Sequence, residues 1–473
     1  MSRGPSACLL DLLSGLSPFA DCWVAFSGGL DSSVLLHLMH EARDHLPGAL
    51  RAIHVDHGLQ ADSPRWAARC VRVCADLDIP LTTRALHLRA RPGDSLEALA
   101  REARYRACAE VIGADDVLLT AHTQDDQAET LLLALLRGSG LQGLAAMPVV
   151  ARLGPGRLVR PLLTVTRAEL VEQARARGLS WIDDPSNRLE RMDRNYLRHR
   201  VMPLLRARWP SADLTLSRSA GHCAEAAAVL DGLARDLLPA CAGSRPGTLR
   251  IDALAALGPP RQRLLLRAWL RERGFRMPDS RHLARILGEV VTAGPDADPL
   301  VAWEGCEVRR FRKDLHALRP LPSPPDPGLV IHWEWRADTA GLVLPAGLGR
   351  LIWPDAVQCT GATGPAIVRF GVTGQSCRPD PRDHRRPLKK RFQDAGIPRW
   401  LRPYVPLVFV DGRLIAVAGV GVCVEPDAGT TTARPCDPGP TWVEHPWTGH
   451  GFFKGLEPAD RVSEYGASRA ESD

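Results

Sequence analysis

The chain has 473 residues, 45% of them hydrophobic and 24% charged, with a formal net charge of +6. That length calls for two or three domains, and the composition is that of a globular protein. No apolar run approaches the roughly 20 residues of a membrane helix, so no membrane association is expected. The first residues, MSRGPSACLLDLLSGL, are interrupted by Asp11 and lack a small-residue cleavage site, which argues against a signal peptide. Twelve cysteines are scattered without a CxxC pair, and the closest two, Cys70 and Cys74, lie one helical turn apart. A reducing, cytoplasmic setting fits that usage.

The charge is unevenly spread. Residues 151–210 hold thirteen arginines against six acids, and residues 378–391 hold seven basic side chains against two. Two concentrated basic patches on a near-neutral body point to a polyanion longer than one nucleotide. The competing reading is a solvated face whose arginines pair with local carboxylates.

In chain order, Cys22 to Met39 (CWVAFSGGLDSSVLLHLM) reads as a buried strand, a glycine turn and a helix. Gly28 and Gly29 let the backbone approach a ligand, and the first-turn N–H groups of the following helix make an anion site. Ser27, Gly28, Gly29, Leu30, Asp31 and Ser32 are therefore candidate phosphate-loop residues. Asp31 would repel phosphate directly, so it reads as the ligand of a divalent cation that the phosphates share. No Gly-Lys-Ser/Thr follows, which excludes a Walker loop. The SGGxDS pattern resembles the pyrophosphate loop of the ATP pyrophosphatase superfamily, whose members cleave ATP between the α and β phosphates.

Residues 50–55 read as a second strand ending in Asp56-His57, 64–77 as a helix, 81–88 as a strand, 94–112 as a helix capped by Asp94 or Ser95, and 117–120 as a buried strand. Strands alternating with helices argue for a doubly wound parallel sheet, with ligands beyond the carboxyl ends of the strands. The glycine loop, Asp56-His57 and His122 then converge at one edge. His54 is expected to line the pocket for the nucleotide base; as a metal motif HVDH fails, since His57 points away from His54 and Asp56.

The segment His122 to Thr130 (HTQDDQAET) precedes an apolar helix. If helical, it sets His122 one turn from Asp126 and Asp125 one turn from Glu129. Compensation of the helix dipole explains one or two of these acids; a histidine with three acids beside a phosphate loop reads better as a magnesium and proton-transfer site. Gly138 to Gly143 matches GxGxxG but follows a helix, which excludes the dinucleotide reading. Trp181 to Asn187 is a turn, followed by a basic helix in which Arg194 and Arg198 lie one turn apart, the spacing of a phosphate clamp. Residues 211–318 are rich in Ala, Leu and Arg at helical spacing and close with a β segment at 301–318; 319–328 form a Pro-rich linker; strand-like runs follow to 454; and 455–473 read as a disordered tail.

SGGLDS (27–32), HVDHGL (54–59), HTQDDQAETLLLALLRGSGLQGLAAM (122–147), DDPSN (183–187), RNYLRHRVMPLL (194–205) and the block at 386–423 occur in the order of the tRNA(Ile)-lysidine synthetases, which the chain resembles along its length. The segment 371–379 departs from that family's pattern. The resemblance implies a PP-loop ATP pyrophosphatase domain (adenine nucleotide α-hydrolase-like) over 1–210, a helical tRNA-binding domain over 211–318 and a small α+β tRNA-binding domain over 329–454. It implies ATP and Mg²⁺ as cofactors, with free L-lysine and an isoleucine tRNA bearing CAU as substrates. The wobble cytidine would be adenylated and AMP then displaced by the lysine amine. By that resemblance Asp31, His122, Asp126 and Arg194 are catalytic, Asp31 and Asp126 hold the metal, and Asn195, Arg198, Lys389 and Lys390 contact tRNA. Oligomeric state stays open, a dimer included. A tRNA sulfurtransferase usually carries cysteine pairs, an amidotransferase-like synthetase needs a glutaminase segment, and a catalytically dead RNA-binding protein would not need Asp31, Asp126 and Arg194 together.

Overall fold

The computed structural model describes residues 5–16, 18–58, 62–86, 96–185, 190, 192–294, 297–334, 341–353, 364–378, 384–423 and 440–447. The expected cap at Asp94 or Ser95, residues Ser186 and Asn187, and the tail at 455–473 lie outside them. The chain divides into two compact units, Met1–Leu230 and Asp231–Asp473.

In the first unit the described elements are α1 (Pro5–Leu16), β1 (Cys22–Ala25), α2 (Leu30–Glu41), β2 (Leu50–Asp56), α3 (Ser63–Asp76), β3 (Leu81–Ala85), α4 (Leu96–Ala109), β4 (Val117–Leu119), α5 (Gln124–Leu136), α6 (Leu141–Leu144), β5 (Val150–Leu153), β6 (Gly156–Val159), α7 (Arg167–Ala176), α8 (Asp193–Tyr196) and α9 (Met202–Arg208). The strands form one sheet in the order β3-β2-β1-β4-β6-β5. Pairing is parallel except between β5 and β6, which make an antiparallel edge hairpin that the strand–helix alternation did not announce. Side chains alternate across the sheet. Cys22, Val24, Ala52, Val117 and Leu119 join a core with Val34, Leu35, Leu38 and Met39 of α2. Trp23, Ile53, Leu118 and Leu158 join a second core on the other face with Cys108 and Ile112. Burial on both faces explains why these strands are apolar runs and not polar–apolar alternations.

The order of connection positions the site. From β1 the chain runs outward through β2 and β3, then returns to place β4 on the other flank of β1. The crevice beyond the carboxyl ends of β1 and β4 is thus the topological switch point, where open parallel sheets bind ligands. Both the glycine loop and the HTQDD segment open onto it.

Helix α10 (Ala212–Ala240) spans the division between the units. In the second unit follow β7 (Leu249–Arg250), α11 (Ile251–Ala255), α12 (Pro259–Glu272), α13 (Ser280–Arg285) and the strands β8 (Leu300–Trp303), β9 (Cys306–Phe311) and β10 (Asp314–Leu318). The strands form an antiparallel sheet ordered β7-β10-β9-β8, against which α12 buries Leu265, Leu266, Trp269 and Leu270. Further on come β11 (Ile331–Trp333), β12 (Leu342–Val343), β13 (Arg350–Ile352), β14 (Ala366–Arg369), β15 (Ser376–Cys377), β16 (Arg386–Pro387), α14 (Leu388–Asp394), β17 (Leu407–Val410), β18 (Arg413–Val417), β19 (Gly421–Val422) and β20 (Thr441–Val443). The largest of their sheets runs β11-β14-β17-β18-β19. Arg245 donates to the Gly396 carbonyl at 2.7 Å, and Phe311 meets Trp400 edge-on at 5.9 Å, so both segments of this unit share packing. Cys377 and Cys423 form a disulfide, a pairing their spacing of 46 residues gave no reason to expect. Among the described residues no helix is long and apolar enough to cross a membrane.

Candidate functional site

The turn after β1 is wired to itself. Ser27 Oγ lies 3.0 Å from Ser32 Oγ, which donates to the Gly29 carbonyl at 3.1 Å. Gly28 adopts φ +79°, and a Cβ there would sit 2.6 Å from Ile182 Cδ1, so both its conformation and its surroundings require glycine. The Ile182 amide donates to the Gly28 carbonyl at 2.8 Å, which docks the Trp181–Asp184 turn onto the loop. Gly29 caps α2 with no side chain, leaving the first-turn N–H groups of this helix, Leu30 included, available to an anion. His54 is buried at the end of β2 and donates from Nδ1 to the Phe26 carbonyl at 2.9 Å, which buttresses the strand leading into the loop. His57 is held down to about 4 by burial, reinforced by the charge of Arg104.

Asp31 lies in the first turn of α2, and its Oδ1 is buried with no hydrogen-bond partner among the described residues. Burial pushes its carboxyl up to about 6; Arg167 and Arg198 pull it down, and Asp126 and Asp125 push it further up. An ionised oxygen in that position, next to free amides, is suited to a small hard cation. Among the described residues no group of three or more His, Cys, Asp or Glu side chains forms a metal cage. The orphaned Asp31 oxygen would suit Mg²⁺, which takes one or two carboxylates and completes its shell with phosphate oxygens and water.

Across the switch point, α5 starts at Gln124, two residues after the His122 with which the spacing argument began. Thr123 is the N-cap, and His122 precedes the helix and does not share its face. Thr123 and Asp126 form a capping box: Asp126 Oδ2 accepts from the Thr123 amide at 2.9 Å and from its hydroxyl at 3.1 Å. The other oxygen of Asp126 accepts from Arg198 at 2.8 Å. Arg198 also clamps Glu129 with two bonds of 2.6 and 2.8 Å. It sits in a π-helical turn, Leu197–Val201, that follows α8. Arg194 donates to Thr130 Oγ1 at 2.7 Å and lies 3.8 Å from Glu129. Thus Arg194 and Arg198, separated by one turn, both face the acids of α5.

The protonation pattern follows from these partners. Burial would raise Asp126, but Arg198, His122, the Thr123 amide and Arg194 together outweigh it and hold the carboxyl below its ordinary value. For Glu129, only 1% exposed, burial outweighs Arg198 and the carboxyl is raised. Burial drives His122 well below the usual histidine range, so its imidazole is neutral at pH 7. Thr120 Oγ1 lies 2.9 Å from its Nδ1.

Asp125 turns away from this cluster, accepting from the Arg167 amide at 2.8 Å and from Arg206 at 2.9 Å. Asn195 is buried, with Nδ2 3.9 Å from Met192 Sδ. Lys389 and Lys390 belong to the second unit, exposed on α14, where Lys390 lies 3.6 Å from Asp394. Within the same basic knot Arg391 points inward, donating to the His384 carbonyl at 3.0 Å. Glu129, one of the three acids read in the segment, and Thr130, its last residue, both join the cluster, Glu129 sharing a helix face with Asp126 at a spacing of three. Ile182 was legible only as part of a turn.

A parallel sheet with an uncapped glycine loop at its switch point defines a PP-loop protein, and residues 9–205 match the family described as the PP-loop domain. Residues 249–316 match the TilS substrate binding domain, and residues 366–434 the TilS substrate C-terminal domain. The chain is 46% identical to the tRNA(Ile)-lysidine synthase of Methylococcus capsulatus, with 86% of this chain and 93% of that protein covered. It is 41% identical to the tRNA(Ile)-lysidine synthase of Coxiella burnetii, with 88% and 92% covered. It belongs to the tRNA(Ile)-lysidine synthase family. Among solved structures it is similar to the U34-tRNA thiolase NcsA of Methanococcus maripaludis at 18% identity and a TM-score of 0.41, over 47% of this chain and 78% of that one.

Proposed function

We propose that this chain is an ATP-dependent ligase that joins L-lysine to C2 of the wobble cytidine in the CAU anticodon of an isoleucine tRNA, releasing AMP and pyrophosphate. The observation that carries the reading is near full-length kinship with lysidine synthases, 93% of a relative covered, in a chain whose phosphate loop and acid cluster share one switch point.

In the first step O2 of the cytidine attacks the α-phosphate of ATP and pyrophosphate leaves. The loop from Ser27 to Ser32 receives the departing phosphates on its backbone N–H groups, which are oriented before the charge develops. Asp31, with Asp126 as its acidic neighbour, is the residue to hold Mg²⁺. When bound, that ion neutralises phosphate charge. Asp126 serves the site mainly through Arg198, since both of its oxygens already accept hydrogen bonds. Arg194 and Arg198 keep the acids of α5 in place and supply positive potential at the crevice.

In the second step the lysine ε-amine, protonated in water at pH 7, loses a proton and displaces AMP at C2. His122 and Asp126 are the groups placed to take that proton: burial keeps the imidazole neutral but weakens it as a base, and the Asp126 charge opposes that weakening. The cytidine must leave its stack to reach the crevice, so contacts outside the site select the tRNA. The exposed Lys389 and Lys390 are suited to that role.

The test is transfer of labelled L-lysine into isoleucine tRNA with ATP and Mg²⁺. Label that depends on ATP and vanishes when the wobble base is uridine supports the reading. Pyrophosphate release with no label keeps adenylation and rejects lysine as the nucleophile. Absence of both leaves an RNA-binding protein without this activity.

A further inference from the structure

Helix α12 of the second unit carries Arg263, Arg267 and Arg271 at intervals of four residues. Four residues advance an α-helix by about 6 Å and return it to nearly the same face, so the three guanidinium groups stand in a row. The opposite side of the helix is apolar and buried through Leu265, Leu266, Trp269 and Leu270. Arg271 is anchored by Asp231 at 2.9 Å. Arg263 and Arg267 make no ion pair among the described residues, and the only acid of α12 is its last residue, Glu272. The charges feel one another: besides its burial, the neighbours that lower Arg267 are Arg271 and Arg263. A fold that lines up like charges with so little compensation leaves a surface poised for an external polyanion.

A second feature lies where α12 ends. A cavity of about 430 Å³ is lined there by Arg273, Phe275, Arg276 and Arg319, with Pro320 and Pro446. The Arg273 guanidinium lies 5.9 Å over the Phe275 ring, and Arg276 pairs with the exposed Glu304. A concave cationic site with an aromatic wall suits a phosphodiester and its base. A flat bilayer surface has nothing to place in it.

We propose that Arg263, Arg267 and Arg271, with the cavity at the end of their helix, form a track for consecutive phosphates of the tRNA backbone. The proposal rests on the tRNA-ligase reading and adds which surface of the second unit grips the substrate. These contacts carry no base readout, so they hold the tRNA in register and leave selection to other contacts.

The test uses the full chain and an isoleucine tRNA transcript bearing CAU, with affinity measured across a salt series. In R263Q/R267Q the magnitude of the slope of log K against log salt falls by about 1.5, from roughly 0.7–0.9 per phosphate contact. ATP affinity and melting temperature stay at the wild-type values. The charge-preserving R263K/R267K restores the slope, which separates lost phosphate contacts from lost folding. A glutamine variant that binds tRNA with the wild-type slope overturns the track alone. A wild-type chain that binds no tRNA overturns the track together with the ligase reading. Loss of binding to phosphatidylserine vesicles with tRNA binding untouched makes the face a membrane contact and overturns the proposal.

Discussion

Asp31→Asn separates the chemistry of the crevice from the stability of the fold. The Asp31 carboxyl goes from an ordinary 3.8 to about 6 because burial disfavours its ionised form. Between those values the folded protein holds a proton that the unfolded chain has released, so stability falls as pH rises through the window. Above pH 6 the penalty is complete: at 1.36 kcal/mol per pH unit it is ~3 kcal/mol. Asparagine keeps the shape and removes the charge. The variant is therefore expected to be more stable than the wild type at pH 7.5, by up to several degrees in melting temperature, and equal to it at pH 4. It loses pyrophosphate release and any gain in melting temperature from Mg²⁺ with ATP. Thermal or urea unfolding of both proteins at the two pH values is the assay. A stability difference that does not change with pH, or a variant less stable at pH 7.5, refutes the assignment of Asp31 as a strained, cation-seeking carboxylate.

Removing Arg198 acts in the opposite direction. Arg198→Ala strands the buried Glu129 and the Asp126 carboxylate, and urea unfolding should register a loss of about 3–5 kcal/mol, partly recovered when Glu129→Gln is added. Lys389→Ala with Lys390→Ala should weaken tRNA binding and reduce its salt slope by about 1–2 while ATP affinity is unchanged; an unchanged slope in a binding titration rejects the contact. Reduction of the Cys377–Cys423 disulfide frees a segment of 46 residues and, on chain entropy, costs the unfolding of the second unit roughly 4 kcal/mol, which calorimetry with and without a thiol reductant measures.

What could be read in advance was what local chemistry dictates. The glycine loop, the strands on either side of it and the parallel sheet follow from short stretches in which turn residues, apolar runs and helix starts agree. The convergence of the glycine loop and His122 at the carboxyl edge follows from the strand–helix alternation, whereas the strand order that makes that edge a switch point does not. The roles of the charged residues do not, because their partners are remote. Arg198 and Glu129 are 69 residues apart, and nothing in RNYLRHR says whether its arginines face phosphate or carboxylate. The position of His122 was within reach: Thr123 and Asp126 stand at capping-box spacing, and a threonine cap ends the helix before His122 can join it. The disulfide and the edge hairpin of β5 and β6 were not, since each depends on tertiary proximity.

The occupied state of the arginines also bears on how the crevice handles ATP. Arg198 is engaged by two carboxylates and Arg194 by Thr130 and the same Glu129, so neither is a free clamp waiting for a triphosphate. Phosphate charge must then be met by groups that are not already satisfied. Among the described residues those include the uncapped N–H groups of α2, the Arg194 Nε that has no hydrogen-bond partner, and whatever cation Asp31 recruits to its orphaned oxygen. A crevice that arrives charge-balanced and leaves its helix start open binds a polyanion together with its counterion, and it pays for that readiness with the strain at Asp31.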